Sequence, residues 1–274
     1  MNAAVLVTGS FDDLRLHHVR CLHAAARLGA VHVRLWSDAD VRRFTGATPK
    51  FPEAERLYLV QSVRYVQAAA LTTGVPDLDS LPLDDVVRPD CWVVDEASDH
   101  DRRRAACAER GIGYRVLRAA DLADVPMDAG APATAQAGRR KIVVTGCYDW
   151  LHSGHVRFFE ECAALGDLYV VVGHDANVRL LKGAGHPLFP QEQRRYMAQA
   201  IRFVTQALVS TGHGWLDAEP EIARIHPDCY AVNEDGDKPE KREFCARAGI
   251  EYVVLRRLPK PGLPRRESTV LRGF

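Results

Sequence analysis

The chain has 274 residues, which is long enough for two domains of roughly 100–150 residues each. Lys plus Arg and Asp plus Glu both total 36, so no net charge draws the chain to nucleic acid or to an anionic membrane, and we expect neither partner. No apolar run approaches the roughly 20 residues of a membrane helix and no signal-peptide pattern opens the chain, so we expect a cytoplasmic protein.

The two halves of the chain repeat each other. The run that starts at Val7 returns at Val144, an offset of 137 residues. After one inserted residue the offset is 138, so that Pro52 matches Pro190, and the match continues to Gly249. So many ordered matches indicate an internal duplication.

The duplication predicts one domain over 1–118 and a second over 140–274. Residues 119–139 are rich in Pro, Gly and Ala and are predicted to form a linker. In the second copy the predicted strands are Lys141–Thr145, Leu168–Val172, Cys229–Val232 and Tyr252–Leu255, and the predicted helices are His155–Leu165, Gln191–Val204 and about Glu240–Ala248. This alternation is typical of a parallel sheet with right-handed crossovers, so we expect an α/β fold of two tandem Rossmann-like units.

The seven cysteines are odd in number and include no Cys-x-x-Cys pair. That pattern argues against a disulfide framework and against a zinc site, so we expect no protein-bound metal. Cys91 and Cys229 occupy equivalent positions of the repeat, which indicates small buried hydrophobic side chains.

The most informative stretch of the second copy is His152-Ser153-Gly154-His155, which follows an apolar strand and a tight turn. Two imidazoles beside the free N–H groups of a helix start suit a phosphate ligand, and a glycine lets the backbone approach that ligand closely. In the first copy Arg15 replaces His152 and His17 replaces Gly154. We therefore expect only the second copy to catalyse a reaction.

Together with Gly146-Cys147-Tyr148-Asp149, this stretch resembles the opening motif of the cytidylyltransferase-like nucleotidyltransferases. These enzymes join a nucleoside triphosphate to a small phosphorylated molecule and release pyrophosphate. Later landmarks follow in the family's order, from Lys182-Gly183 through Gln193-Arg194 to Ser268-Thr269 near the carboxyl end. The resemblance covers 141–274 well and 3–118 as a decayed copy.

The resemblance and the positions of these residues predict three sets of site residues. The catalytic residues are His152, His155 and Lys182; the nucleotide-binding residues are Cys147, Tyr148, Gly154, Asn233, Asp235, Ser268 and Thr269; the substrate-binding residues are Asp149, Asp175, Arg194 and Arg202. A structural role stays an alternative for Asp175, Arg194 and Arg202, because the decayed copy keeps their counterparts Asp38, Arg56 and Arg64. A simple helix N-cap stays an alternative for Ser268 and Thr269, and a solvated surface position stays one for Lys182.

The resemblance also implies partners. A nucleoside triphosphate with Mg²⁺ and a small phosphorylated substrate are the expected ligands. Single-unit members of the family commonly pair through the two-histidine face, which implies an internal pseudo-dimer in which residues 1–118 take the place of the partner. Further oligomerisation stays open.

The choice of nucleotide rests on weaker signals. The tandem layout resembles the ethanolamine-phosphate cytidylyltransferases, whereas Lys182-Gly183, Pro190 and Lys238-Pro239-Glu240 resemble the heptose-phosphate adenylyltransferases. We expect a nucleotidyltransferase that favours CTP and acts on a phosphorylated or phosphonate acceptor. The alternatives are an ATP-using adenylyltransferase and a non-catalytic nucleotide-binding regulatory or scaffold protein, which the departures from the family pattern at Thr205 and Glu267 would suit.

Overall fold

A computed structural model of the chain describes residues 3–72, 74–82, 88–127 and 136–271. The chain divides into two compact units, Met1–Pro126 and Met127–Phe274. Among the described residues, no helix combines the length and the apolar character that a membrane span needs.

The first unit is a five-stranded parallel sheet flanked by helices. Its strands are β1 (Ala4–Gly9), β2 (Ala30–Leu35), β3 (Val66–Leu71), β4 (Cys91–Asp95) and β5 (Gly113–Leu117), and its helices are α1 (Leu16–Ala26), α2 (Asp38–Thr45), α3 (Glu53–Gln61), α4 (Asp101–Glu109) and α5 (Ala119–Ala123). The strand order is β3-β2-β1-β4-β5. The segment predicted as a linker therefore begins with a helix, α5, whose Leu122 carbonyl accepts a hydrogen bond from Arg20 of α1.

The second unit repeats this architecture. Its strands are β6 (Lys141–Gly146), β7 (Asp167–Val172), β8 (Val204–Val209), β9 (Cys229–Asn233) and β10 (Glu251–Leu255), and its helices are α6 (Ser153–Leu165), α7 (Asp175–Lys182), α8 (Gln191–Gln199), α9 (Glu219–Ile225), α10 (Pro239–Ala248) and α11 (Ser268–Leu271). The order is β10-β9-β6-β7-β8, all parallel. The expected fold of two Rossmann-like α/β units is confirmed.

The sequence explains the central position of β6. Its residues Ile142, Val143 and Val144 are fully buried, as a β-branched strand covered on both faces should be. Gly166, between α6 and β7, permits close packing, because a Cβ there would lie 2.2 Å from the Arg140 carbonyl oxygen. Gly29 has the same constraint in the first unit, which accounts for the repeated Leu-Gly pair.

Three helices and one strand of the second unit differ from the prediction. The helix predicted over Gln191–Val204 ends at Gln199, and Val204 instead begins β8. Apolar spacing alone does not separate the end of a helix from the start of a buried strand. Helices α7 and α9 were not predicted, and Lys182 is the last residue of α7.

The strand order creates a switch point at the carboxyl end of β6. The chain crosses to β7 on one side of β6 and reaches β9 on the other. Open parallel sheets bind ligands in the crevice at such a point. The turn that carries the two histidines leaves β6 there.

Candidate active site

The paired histidines stand at the start of α6. His152 is the N-cap residue, and its Nδ1 accepts a hydrogen bond of 3.1 Å from the Gly154 N–H. The His155 ring stacks on the His152 ring, with centroids 4.0 Å apart and planes 24° apart. The structure therefore brings the two imidazoles together at the amino end of a helix, where anions are stabilised.

Gly154 makes this arrangement possible. A Cβ at this position would lie 3.0 Å from His152 Cε1 and 3.5 Å from the Arg266 carbonyl oxygen. A Cβ would require the His152 ring to move by a few tenths of an ångström. Close packing therefore favours glycine at this position.

Both imidazoles are neutral at physiological pH. Burial lowers the pKa of His155 from 6.5 to about 3, and the positive charges of Arg257 and Lys182 add to this effect. Burial lowers the pKa of His152 still further, with His155 and Arg257 contributing. Since Nδ1 of His152 accepts a hydrogen bond, its Nε2 carries the proton; this N–H is buried and has no partner among the described residues.

A cavity of about 970 Å³ opens at this end of the sheet. Its volume falls within the range of small-molecule sites. Eight of the residues predicted from the sequence line it: Cys147, Tyr148, Asp149, His155, Lys182, Asn233, Asp235 and Ser268. His152 is 1% exposed and lies behind His155.

Two lysines that were not among the predicted site residues lie on the cavity wall. Lys238 and Lys241 lie on it together with Lys182. The Lys241 Nζ donates to the Gly236 carbonyl oxygen at 3.1 Å, and burial lowers its pKa. Three ammonium groups around one cavity suit a polyphosphate ligand.

Arg257, which follows β10, was also not among the predicted site residues. Its guanidinium pairs with Asp235 at 2.5 Å and donates to the Arg266 carbonyl oxygen at 3.1 Å. The segment Arg256–Arg266 thereby lies over the start of α6, and Lys260 pairs with Glu160 of that helix at 2.9 Å. No sequence motif identifies this segment, because its basic residues are brought near the histidines only by the tertiary structure.

Tyr148 shapes the pocket beneath His155. Its backbone has a φ of +50°, and its ring lies so close to Gly146 that a Cβ there would be 2.8 Å from the ring. The ring meets His155 edge to face, with centroids 5.3 Å apart. Tyr148 therefore supports the histidine pair from below.

Asp149 is occupied by the protein's own backbone. Its carboxylate accepts hydrogen bonds from the N–H groups of Leu188 at 2.7 Å and Phe189 at 3.0 Å, and only 7% of the residue is exposed. Asp12 of the first unit accepts from residues 50 and 51 in the same way. The structure thus gives Asp149 a loop-holding contact, and its substrate contact stays a prediction from the motif.

Arg194 is likewise committed inside the fold, with 1% of its surface exposed. Its donors lie between 2.6 and 2.8 Å from four acceptors: the carbonyl oxygens of Phe189, Cys147 and Gly173 and the carboxylate of Asp175. Four of its five N–H groups are engaged in this way, and Nη1 also lies 3.9 Å from the Cys147 Sγ. The Arg194–Asp175 pair ties the turns after β6 and β7 to α8.

The first unit keeps that network almost unchanged. Arg56 donates to the carbonyl oxygens of Phe51 at 2.9 Å and Ser10 at 2.5 Å, and to the Asp38 carboxylate at 2.8 Å. A unit without the two-histidine motif has no need of substrate contacts. The persistence of the network there favours the structural alternative for Arg194 and Asp175.

Arg202 lies away from the other predicted site residues. It occupies the turn before β8, at the amino end of that strand, whereas the histidines stand at the carboxyl end of β6. The structure therefore separates it from the groups with which the sequence joined it. The side chain of Thr269 lies outside the described residues.

A family model and several curated proteins are similar to this chain. A family model described as cytidylyltransferase-like matches residues 143–250. FAD synthase of Ferroglobus placidus is 38% identical over 120 residues, which make up 43% of this chain and 75% of that protein. FAD synthase of Methanospirillum hungatei is 46% identical over 119 residues, 42% of this chain and 72% of that protein. The bifunctional protein HldE of Methylococcus capsulatus is 34% identical over 178 residues, 63% of this chain but 35% of HldE.

Proposed function

The chain belongs to the cytidylyltransferase-like nucleotidyltransferase family, and from this premise we propose that its second unit transfers an adenylyl group from ATP to a small phosphorylated acceptor and releases pyrophosphate. One observation carries the proposal: two stacked neutral imidazoles at the amino end of α6 stand at a cavity walled by lysines. This arrangement supplies hydrogen-bond donors and positive charge where a triphosphate would lie.

The proposed reaction needs fixed donors more than a covalent nucleophile. A phosphate oxygen of the acceptor attacks the α-phosphorus, a new P–O bond forms, and the bond to the pyrophosphate leaving group breaks. Negative charge grows on the non-bridging oxygens and on the leaving group. Imidazole N–H groups, the N–H groups at the start of α6 and the Lys182 ammonium are suited to stabilise it.

Cys147 does not act as a nucleophile in this proposal. Burial raises the pKa of its thiol, so the reactive thiolate is scarce at neutral pH. Its backbone carbonyl accepts a hydrogen bond from Arg194 at 2.6 Å, which places the residue as part of the turn. Direct transfer between the two substrates is therefore favoured over a covalent enzyme intermediate.

The names of the relatives favour ATP over the CTP expected from the sequence. FAD is a dinucleotide with an adenylyl half, and two of the relatives reported above are FAD synthases. The expectation of CTP was based on the tandem arrangement of the two units, which gives no information about contacts with the base. Asn233 and Asp235 remain the candidates for contacts with the base or ribose, since both line the cavity.

Mg²⁺ is expected as part of the nucleotide substrate. Among the described residues, no three His, Cys, Asp or Glu side chains of the second unit converge closely enough to hold a cation. Of the three carboxylates at the cavity, Asp149 accepts backbone N–H groups, Asp235 pairs with Arg257, and Glu240 is the third. Mg²⁺ commonly binds through substrate phosphates and retains several waters, so ATP itself would carry it.

The test is pyrophosphate release by the full chain with ATP and with CTP, each offered with FMN, sugar 1-phosphates and phosphorylated alcohols. We expect ATP to give the higher kcat/KM. His155→Ala should lower kcat/KM by about 10²–10³-fold, because one donor to the developing charge is lost. His18→Ala, the equivalent change in the first unit, is the matched control and should leave the rate unchanged.

Three outcomes would contradict the proposal. A higher kcat/KM with CTP would overturn the choice of nucleotide, and turnover indifferent to His155 would overturn the mechanism. ATP binding without turnover against any acceptor would instead support the regulatory or scaffold alternative.

A further inference from the structure

The first unit holds a convergent cluster of three metal-ligating side chains. His17 and Cys21 lie one helical turn apart on α1, and Asp95 is the last residue of β4. His17 Nε2 is 2.8 Å from Asp95 Oδ2, and Cys21 Sγ is 3.5 Å from the same nitrogen. The three ligand atoms all lie within 4.8 Å of one another.

This convergence differs from the geometry of a nucleophilic triad. In a triad the histidine uses one ring nitrogen for the nucleophile and the other for the carboxylate. Here the thiol and the carboxylate both approach Nε2 of His17. A nitrogen, a sulfur and an oxygen ligand atom gathered within 4.8 Å of one another suit a metal centre.

We propose that His17, Cys21 and Asp95 form a binding site for a zinc-class divalent cation. In a tetrahedral zinc site the Zn–N and Zn–S bonds of about 2.0 and 2.3 Å place the ligand atoms roughly 3.3–3.8 Å apart. The 3.5 Å between Cys21 Sγ and His17 Nε2 falls within that range, and the 2.8 Å between His17 Nε2 and Asp95 Oδ2 would have to widen by about 0.5 Å around the ion. The mixed nitrogen, sulfur and oxygen set favours Zn²⁺ over Mg²⁺ or Ca²⁺, which prefer oxygen ligands alone.

The surroundings support the site. Asp95 Oδ1 accepts a hydrogen bond of 2.9 Å from the Ser98 N–H, which orients the carboxylate with Oδ2 toward His17. All three side chains line one cavity of about 180 Å³. The His17 side chain is 53% exposed, so an ion can enter from solvent. Three protein ligands leave a fourth position open to water in this cavity.

The repeat places these ligands at informative positions. At the offsets of 137 and 138 residues, His17, Cys21 and Asp95 correspond to Gly154, Phe158 and Asn233 of the second unit. The three proposed ligands therefore stand at positions where the first unit differs from the second. The first unit therefore changed its site chemistry as well as losing the nucleotidyltransferase motif.

Cobalt substitution of the full chain tests the proposal. The reduced protein, stripped with a chelator, is titrated with Co²⁺ and then with Zn²⁺. We expect one Co²⁺ per chain with a thiolate-to-cobalt charge-transfer band, and displacement by Zn²⁺. Cys21→Ser should abolish the band and weaken Zn²⁺ binding by at least about tenfold, whereas Asp95→Asn should weaken binding and keep the band.

Cys91→Ser is the matched control, because Cys91 is a half-buried cysteine of the same unit outside the cluster. It should keep both the band and the affinity. His17→Gln, at a half-exposed position, removes a ligand without disturbing the core and serves if Cys21→Ser does not fold by circular dichroism. Absence of saturable one-to-one binding, or a charge-transfer band that survives in Cys21→Ser, would overturn the site.

Discussion

The two units share a scaffold and differ where the scaffold meets a ligand. Both keep a carboxylate that holds the loop before the third helix of the unit, Asp12 in one and Asp149 in the other. Both keep a buried arginine that ties three turns together. The cavity at the equivalent end of the sheet measures about 970 Å³ in the second unit and about 180 Å³ in the first.

This comparison separates residues that maintain the fold from residues available for chemistry. The arginine network and the loop-holding aspartate survive in a unit without the two-histidine motif, so the fold itself needs them. His152, Gly154 and Lys182 have no such survivors in the first unit. Each substitution is therefore compared with a matched substitution elsewhere in the chain.

The largest expected effect concerns the buried arginines. Arg194→Ala and Arg56→Ala should each lower the free energy of unfolding by about 3 kcal/mol or more, because each strands several buried acceptors and a carboxylate. Denaturant titration of the full chain measures both. A loss of activity in Arg194→Ala with unchanged stability would show that the residue contacts substrate and that the two units differ here.

Importing the first unit's residue into the second should abolish most activity. Gly154→His places a side chain where a Cβ alone would lie 3.0 Å from the His152 ring. We expect kcat/KM for pyrophosphate release to fall by about 100-fold, the effect of losing one fixed donor. His17→Ala in the first unit is the control. Full activity in Gly154→His would refute the packing argument.

A smaller effect is expected at the end of α7. Lys182→Ala should lower kcat/KM by about 10- to 100-fold, since a hydrogen bond from a charged group contributes roughly 1.5–3 kcal/mol. Stability should not change, because the side chain is exposed. Arg179→Ala, on the same helix, removes an exposed charge outside the cavity wall and should keep full activity. Equal losses in both variants would point to a general charge effect.

A further comparison concerns the dependence of stability on pH. The pKa of His155 lies at about 3 in the folded chain and at 6.5 without burial. Between these values the unfolded chain binds a proton that the folded chain does not. The free energy of unfolding should therefore fall as the pH falls, by up to about 1.4 kcal/mol per pH unit for each such histidine.

Denaturant titrations from about pH 7 to pH 4 measure this slope. His155→Gln should flatten it, because glutamine does not titrate. Burial also lowers the pKa of His18 in the first unit, so His18→Gln should flatten the slope as well. A slope that neither variant changes would place the acid-sensitive groups elsewhere.

The sequence alone determined the duplication, the α/β architecture and the position of the two-histidine turn. Strand–helix alternation is local, and apolar periodicity reports it directly. The division of the chain into 1–118, a linker and 140–274, and the pairing of the two units as an internal pseudo-dimer, stay predictions. The preference for CTP came from the layout of the chain and is not supported by its relatives.

Only the tertiary structure decided what each polar residue of the motif does. Asp149 and Arg194 match a ligand-binding pattern, but Asp149 accepts from backbone N–H groups 39 and 40 residues further along the chain. Arg194 donates to three backbone carbonyl oxygens and to the Asp175 carboxylate. Arg257 and the cluster of His17, Cys21 and Asp95 carry no local signature, because parallel strands bring together loops that are distant in sequence. Which groups share a hydrogen bond, and which side chains can bind one ligand, therefore depends on the tertiary structure.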